Sequence, residues 1–160
     1  MRITVASDGS LLVNGAPIGG GSGTGPAAPL AKQHLASLSI PTATMTTIVA
    51  WATFATATGG MVGLAEGVKV PVAGAYAVGG GLAWAGNATG RRIAGPTVNG
   101  VLYANRMNGI AATVATPTYM SPPPGFVICA ANDVISLGAY QDSGAALTLT
   151  GAEINVWQIA

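Results

Sequence analysis

At 160 residues the chain has room for one domain of ordinary size and a short appendage, and with half of its residues hydrophobic it can bury a real core. Only 7% of residues are charged and the net charge is +1, which excludes the charge-rich, apolar-poor composition of disordered chains and argues against a binder that neutralises nucleic-acid phosphates. So little charge suits a protein much of whose surface is covered in an assembly.

The first segment, residues 1–21, alternates polar and apolar at Arg2–Ile3–Thr4–Val5 and turns at Asp8–Gly9–Ser10. Leu11–Leu12–Val13 follows as a second short strand, then Asn14–Gly15 as a further hairpin-type turn. Two strands this small do not hold together alone in water, so the segment needs something to lie against. It reads as a β-hairpin attachment arm, with Arg2, Ile3, Val5, Leu11, Leu12 and Val13 as its contact residues. No apolar h-region follows Met1, so a secretory signal is not expected; a route outside the cell would be lysis or assembly.

Residues 22–30 are a linker, part of a Gly/Ser run from Gly19 that stiffens at Pro26 and Pro29. A phosphate-cradling loop would need Gly-Lys-Ser/Thr at its end, and here prolines follow instead.

The body, residues 31–160, carries short β-type runs separated by Gly, Pro, Asn and Asp. Ala28–Leu38 has the one stretch that suggests a turn of helix. Strands are expected at Thr46–Thr56, Val68–Val72, Ala75–Val78, Leu82–Ala85, Val101–Ala104, Ala111–Thr116, Phe126–Ile128, Val134–Tyr140, Ala146–Thr150 and Glu153–Ile159. Asp142–Ser143–Gly144 reads as a hairpin turn between two of them. The apolar stretch Thr47–Ala55 is far short of the roughly 20 residues that span a bilayer, so no membrane insertion is expected. Many short strands with regular turn signals predict a sandwich or barrel.

Chemistry has few residues to work with. The titratable supply is Asp8, Glu66, Asp133, Asp142, Glu153, His34 and Cys129. Asp133 and Asp142 stand beside turn residues, where Asp caps or turns the chain. One His and one Cys do not make a zinc site, and the carboxylates are not clustered for calcium. Cys129, inside Phe126–Ala130, reads as a small buried hydrophobe. No catalytic residue, metal or cofactor is expected. Ser121–Pro122–Pro123–Pro124–Gly125 reads as a stiff loop. A sugar platform would be Trp84 beside Asn87, or Tyr103 near Asn105 and Arg106, with ordinary packing as the alternative for each.

Four stretches together resemble C1q/TNF-like jelly rolls. Val68–Lys69–Val70–Pro71–Val72–Ala73–Gly74–Ala75–Tyr76–Ala77–Val78, followed by Leu82–Ala83–Trp84–Ala85, is similar to the family's Pro–Gly–Tyr strand and the Trp strand after it. Ala131–Asn132–Asp133–Val134–Ile135–Ser136–Leu137–Gly138–Ala139–Tyr140–Gln141 resembles its Gly-Asp strand, with Asn132 in place of the usual Gly; Asn also tolerates a left-handed backbone. Ala152–Ile159 resembles the last strand, and the match runs from about Leu38 to Ala160. The resemblance implies an all-β antiparallel sandwich jelly roll that trimerises around its final strands, with Tyr76, Tyr140 and Trp157 near the three-fold axis. The alternative for these three aromatics is the sandwich core. Arm, linker and C1q-like trimer resemble bacteriophage virion proteins. The expectation is a non-enzymatic homotrimer on the virion surface, held to the major capsid protein as a decoration protein. The alternative is a tail fibre tip or minor tail protein, joined to another tail protein and binding host-surface carbohydrate; a chain with no long shaft favours the first.

Overall fold

A computed structural model describes residues 3–5, 11–13, 16–17, 31–103, 107–111, 117–121 and 124–159. Among them there is no helix. In the first segment, β1 (Ile3–Val5), β2 (Leu11–Val13) and β3 (Ala16–Pro17) form a small antiparallel sheet, with Ile3 opposite Val13 and Leu12 opposite Pro17.

The body opens with β4 (Ala31–Leu35), β5 (Leu38–Ile40), β6 (Thr46–Thr47), β7 (Ala52–Ala57), β8 (Val62–Leu64) and β9 (Gly67–Lys69). It continues with β10 (Gly74–Trp84), β11 (Arg91–Val98), β12 (Val101–Leu102), β13 (Asn108–Ala111) and β14 (Thr118–Met120). It closes with β15 (Gly125–Cys129), β16 (Val134–Gln141) and β17 (Leu147–Gln158). These make two seven-stranded antiparallel sheets. The first runs β14-β10-β17-β4-β7, with β15 also on β10 and β5 also on β17. The second runs β12-β11-β16-β9-β8, with β13 also on β11 and β6 also on β16.

The two sheets enclose one apolar core, which includes Ile40, Val68, Tyr76, Leu82, Trp84, Ile135, Leu137, Leu149 and Ile154, all at most 1% exposed. Burial of this kind is the main force holding a sandwich together. Two buried polar side chains tie the layers. The Gln33 amide donates to Leu64 O at 2.9 Å, from β4 to β8. Gln141 donates to Ile40 O at 3.0 Å and Ala145 O at 2.8 Å.

Several expectations are corrected by particular physical reasons. The proposed helical turn is instead β4, paired on one side with β17 and on the other with β7, so two ladders override a weak local preference. Thr46–Thr56 is not one strand. Ile48–Trp51 carries the chain from the second sheet to the first, and the Trp51 indole donates to Ile48 O and Ser136 Oγ. Ala75–Val78 and Leu82–Ala85 are one strand, β10, through Gly79–Gly80–Gly81. The last two expected strands are also one. Inward residues are Leu147 and Leu149, then Ala152, Ile154 and Val156, because a bulge near Thr150 shifts the pairing with Ala83 and Trp84. Asp142–Ser143–Gly144 is not a hairpin turn, since β16 and β17 lie in different sheets. β11 was not foreseen because of Arg91, Arg92 and Pro96. Pro96 is tolerated where one neighbouring ladder breaks, after Ala94–Asn108 and before Thr97–Leu102.

Of the remaining expectations, Ala111 ends β13, whereas residues 112–116, the linker, Arg2, Asn105, Arg106, Pro122 and Pro123 lie outside the described residues.

Candidate association face

The outward face of the first sheet is built from alternation. In β15, Gly125, Val127 and Cys129 turn inward, so Phe126 and Ile128 turn out. Antiparallel register aligns Ile128 with Ala75 and Phe126 with Ala77. Across β10, Ala77 faces Trp157 of β17. The result is a row Phe126–Ala77–Trp157 with Ala75 and Ile128 beside it. Phe126 is 53% exposed and Ile128 67%. Apolar groups this open, side by side, are uncommon on a lone soluble chain.

Glycines shape the face. The Trp157 ring lies against Gly79, where an added Cβ would meet it at 3.2 Å. Further along β10 the Tyr119 phenol lies over Gly81 and leaves no room for a Cβ, which would fall 1.9 Å from its hydroxyl. Tyr119 is 63% exposed. Beyond it, His34 of β4 and Glu153 of β17 are cross-strand partners, and Asn155 Nδ2 donates to Glu153 Oε1 at 3.4 Å.

Of the aromatics proposed for a three-fold axis, only Trp157 is on this face. Tyr76 is fully enclosed and its hydroxyl donates to Val72 O at 2.8 Å; burial holds that phenol above its ordinary pKa. It fills the core. Tyr140 is half-buried on β16, in the opposite sheet, opposite Ile93 and close to Arg91. Ile3, Val5, Leu11, Leu12 and Val13 lie in β1 and β2. Sequence reasoning missed Phe126, Ile128 and Tyr119. Phe126–Cys129 is apolar at both parities, and that pattern marks a strand with two faces to cover.

The sugar platforms fare differently. Trp84 is wholly buried and so offers no exposed ring; the Arg92 guanidinium sits 5.8 Å from its ring centroid. Arg92 in turn donates to Thr89 O, Arg91 O and Asn87 O, pinning the β10–β11 connection. The Tyr103 hydroxyl accepts from the Ile128 N–H at 3.3 Å.

Two other titratable groups, Asp133 and Asp142, have structural partners. Asp133 accepts from Ala130 N and Asn99 Nδ2, both at 2.8 Å, while Asn132 takes φ 71. Asp142 accepts from the Arg91 backbone N–H and from Arg91 Nε, and those bonds hold its carboxyl below the ordinary aspartate range. Burial, aided by the charge of Asp133, pushes the Cys129 thiol up to about 11. Among the described residues no group of three His, Cys, Asp or Glu could hold a metal ion, and no helix is long and apolar enough to cross a membrane.

No protein-family model matches the sequence, and no curated protein is significantly similar to it. Solved structures are. The PRD1 vertex protein P5 superposes with a TM-score of 0.59 at 15% identity, over 84% of this chain and 100% of that one. The Eiger TNF of S. frugiperda superposes with a TM-score of 0.56 at 9% identity, over 83% and 94%. At such identities the likeness is one of fold. The chain is an antiparallel TNF-like jelly roll, as its Pro–Gly–Tyr, Trp and Asn-Asp strands suggested.

Proposed function

We propose that this chain is a non-enzymatic structural protein of a bacteriophage particle. It works as a homotrimer on the virion surface, as a decoration protein that residues 1–21 fix to the major capsid protein. The observation that carries the trimer is the outward row of Phe126, Ile128 and Trp157 on a sheet that nothing in the chain covers among the described residues. Copies packed on that face remove the row from water, and apolar area of this kind contributes roughly 25 cal/mol per Å². The fold shared with a phage vertex protein supports a place on a virion. The sparse charge supports a chain covered on more than one side. The small β1–β2–β3 sheet supports an arm that gains its stability from a partner. Attachment made only by assembled shells would stabilise those shells by mass action.

The test is binding of purified protein to undecorated heads, with its mass followed by light scattering. The full chain should weigh three chains and bind heads. Trp157→Asp should weigh one. Deletion of residues 1–21 should keep the trimer and abolish binding. A monomeric full chain refutes the trimer, and a truncated trimer that still binds refutes the arm. Gold-labelled antibody confined to tails would replace the decoration role with the tail-tip role.

A further inference from the structure

The association row does not account for the other end of the same face. Phe126 is level with Ala77, whereas Tyr119 is level with Ala83. Six residues along a strand is about 20 Å. At that far end a hollow of about 230 Å³ opens. Ala83 and Gly151 line it from below, the Tyr119 ring lies over Gly81 at one side, and His34, Tyr119 and Glu153 supply its polar groups.

We propose that this hollow binds a single pyranose ring of a glycan. Tyr119 covers Gly81, but Ala83 and Gly151 carry at most a methyl group, so a flat ring beside that phenol can lie close to the backbone there. The exposed Tyr119 ring supplies an apolar surface for the C–H face of a sugar. Glu153 and His34, side by side across β17 and β4, accept from and donate to hydroxyls. The volume lies below the roughly 300–1,000 Å³ of drug-sized sites, which fits one ring. The inference rests on the virion-surface reading only for the source of the glycan, the host surface.

The experiment is saturation-transfer NMR on the full chain with the methyl pyranosides of glucose, galactose, mannose, rhamnose, N-acetylglucosamine and N-acetylgalactosamine, and light scattering on the same samples. At least one pyranoside should receive saturation from the trimer. Tyr119→Ala should abolish the signal, and the isosteric Glu153→Gln should weaken binding about tenfold with the mass unchanged. The proposal is overturned if no pyranoside receives saturation, or if both variants bind as the parent does. Binding only by the Trp157→Asp monomer would also overturn it, because a neighbouring copy would then fill the hollow. A parent chain that weighs one chain refutes the trimer alone, and the sugar signal still decides the hollow.

Discussion

Three adjacent glycines in β10 should respond very differently to the same methyl group. At Gly80 an added Cβ falls 2.1 Å from Glu153 O and 3.2 Å from Ile154 Cα, both backbone atoms of the central partner strand. Neither moves without opening the β10–β17 ladder, where Gly80 pairs with Ile154. A lost ladder bond costs about 1 kcal/mol and a strained backbone conformation about 1–3 kcal/mol. Gly80→Ala should therefore lose about 2–4 kcal/mol, a fall in Tm of roughly 10 °C. At Gly81 the Cβ meets only the Tyr119 phenol. That side chain is 63% exposed, so it has room to swing outward. The displacement is offset by the roughly 0.5–1 kcal/mol gained when a strand glycine becomes alanine, so Gly81→Ala should stay within about 1 kcal/mol of the parent. Adding Tyr119→Ala should make it more stable than Gly81→Ala alone. At Gly79 the nearest atoms belong to the Trp157 ring at 3.2 and 3.3 Å, and a small tilt accommodates the methyl. Thermal melts followed by far-UV circular dichroism give the ranking. A Gly80→Ala protein that melts with the parent, or a Gly81→Ala protein as damaged as Gly80→Ala, refutes the reasoning.

Two more perturbations probe the connections. Arg92→Met keeps an apolar stem of similar length but leaves Asn87 O, Thr89 O and Arg91 O without their donor; urea unfolding should show a loss of about 1–3 kcal/mol, and an unchanged midpoint would show that the β10–β11 connection does not depend on it. The Asp142 carboxyl is held below its ordinary range by Arg91, so its contribution is complete above the unfolded aspartate pKa of about 3.9 and disappears as pH falls through the lower folded value. The stability difference between the parent and Asp142→Asn should be constant from pH 7 to 5 and shrink only below about pH 3.9; a difference that vanishes by pH 5 contradicts the Arg91 bonds.

The sandwich was legible where side chains alternate cleanly. Ile135, Leu137 and Ala139 point inward from β16 as their parity indicates, and Asn132 takes the left-handed turn expected of a residue in glycine's place. Legibility failed where a local rule met tertiary context. The glycines of β10 looked like a turn because their role, room for Trp157 and Tyr119, depends on residues far along the chain. The bulge at Thr150 split one strand into two patterns. Arg92 hid β11 because a buried guanidinium is satisfied only by carbonyls that the fold brings to it. The face was half legible. Trp157 was named, but Tyr76 and Tyr140 belong to the core and the opposite sheet, a distinction set by which strand joins which layer. Phe126 and Ile128 sat unremarked in a run whose double-sided apolarity pointed to them.

β17 lies in the middle of its sheet, between β10 and β4. Ala31, at the start of the body, pairs with Val156 near its end. During synthesis the first sheet therefore lacks its centre until residues beyond Val156 have cleared the ribosome. A chain stopped early would leave β10 and β4 each with an open ladder, exposed to aggregation or degradation. Long-range closure of this kind is slow. A sheet without β17 also lacks Trp157, and with it one end of the apolar row.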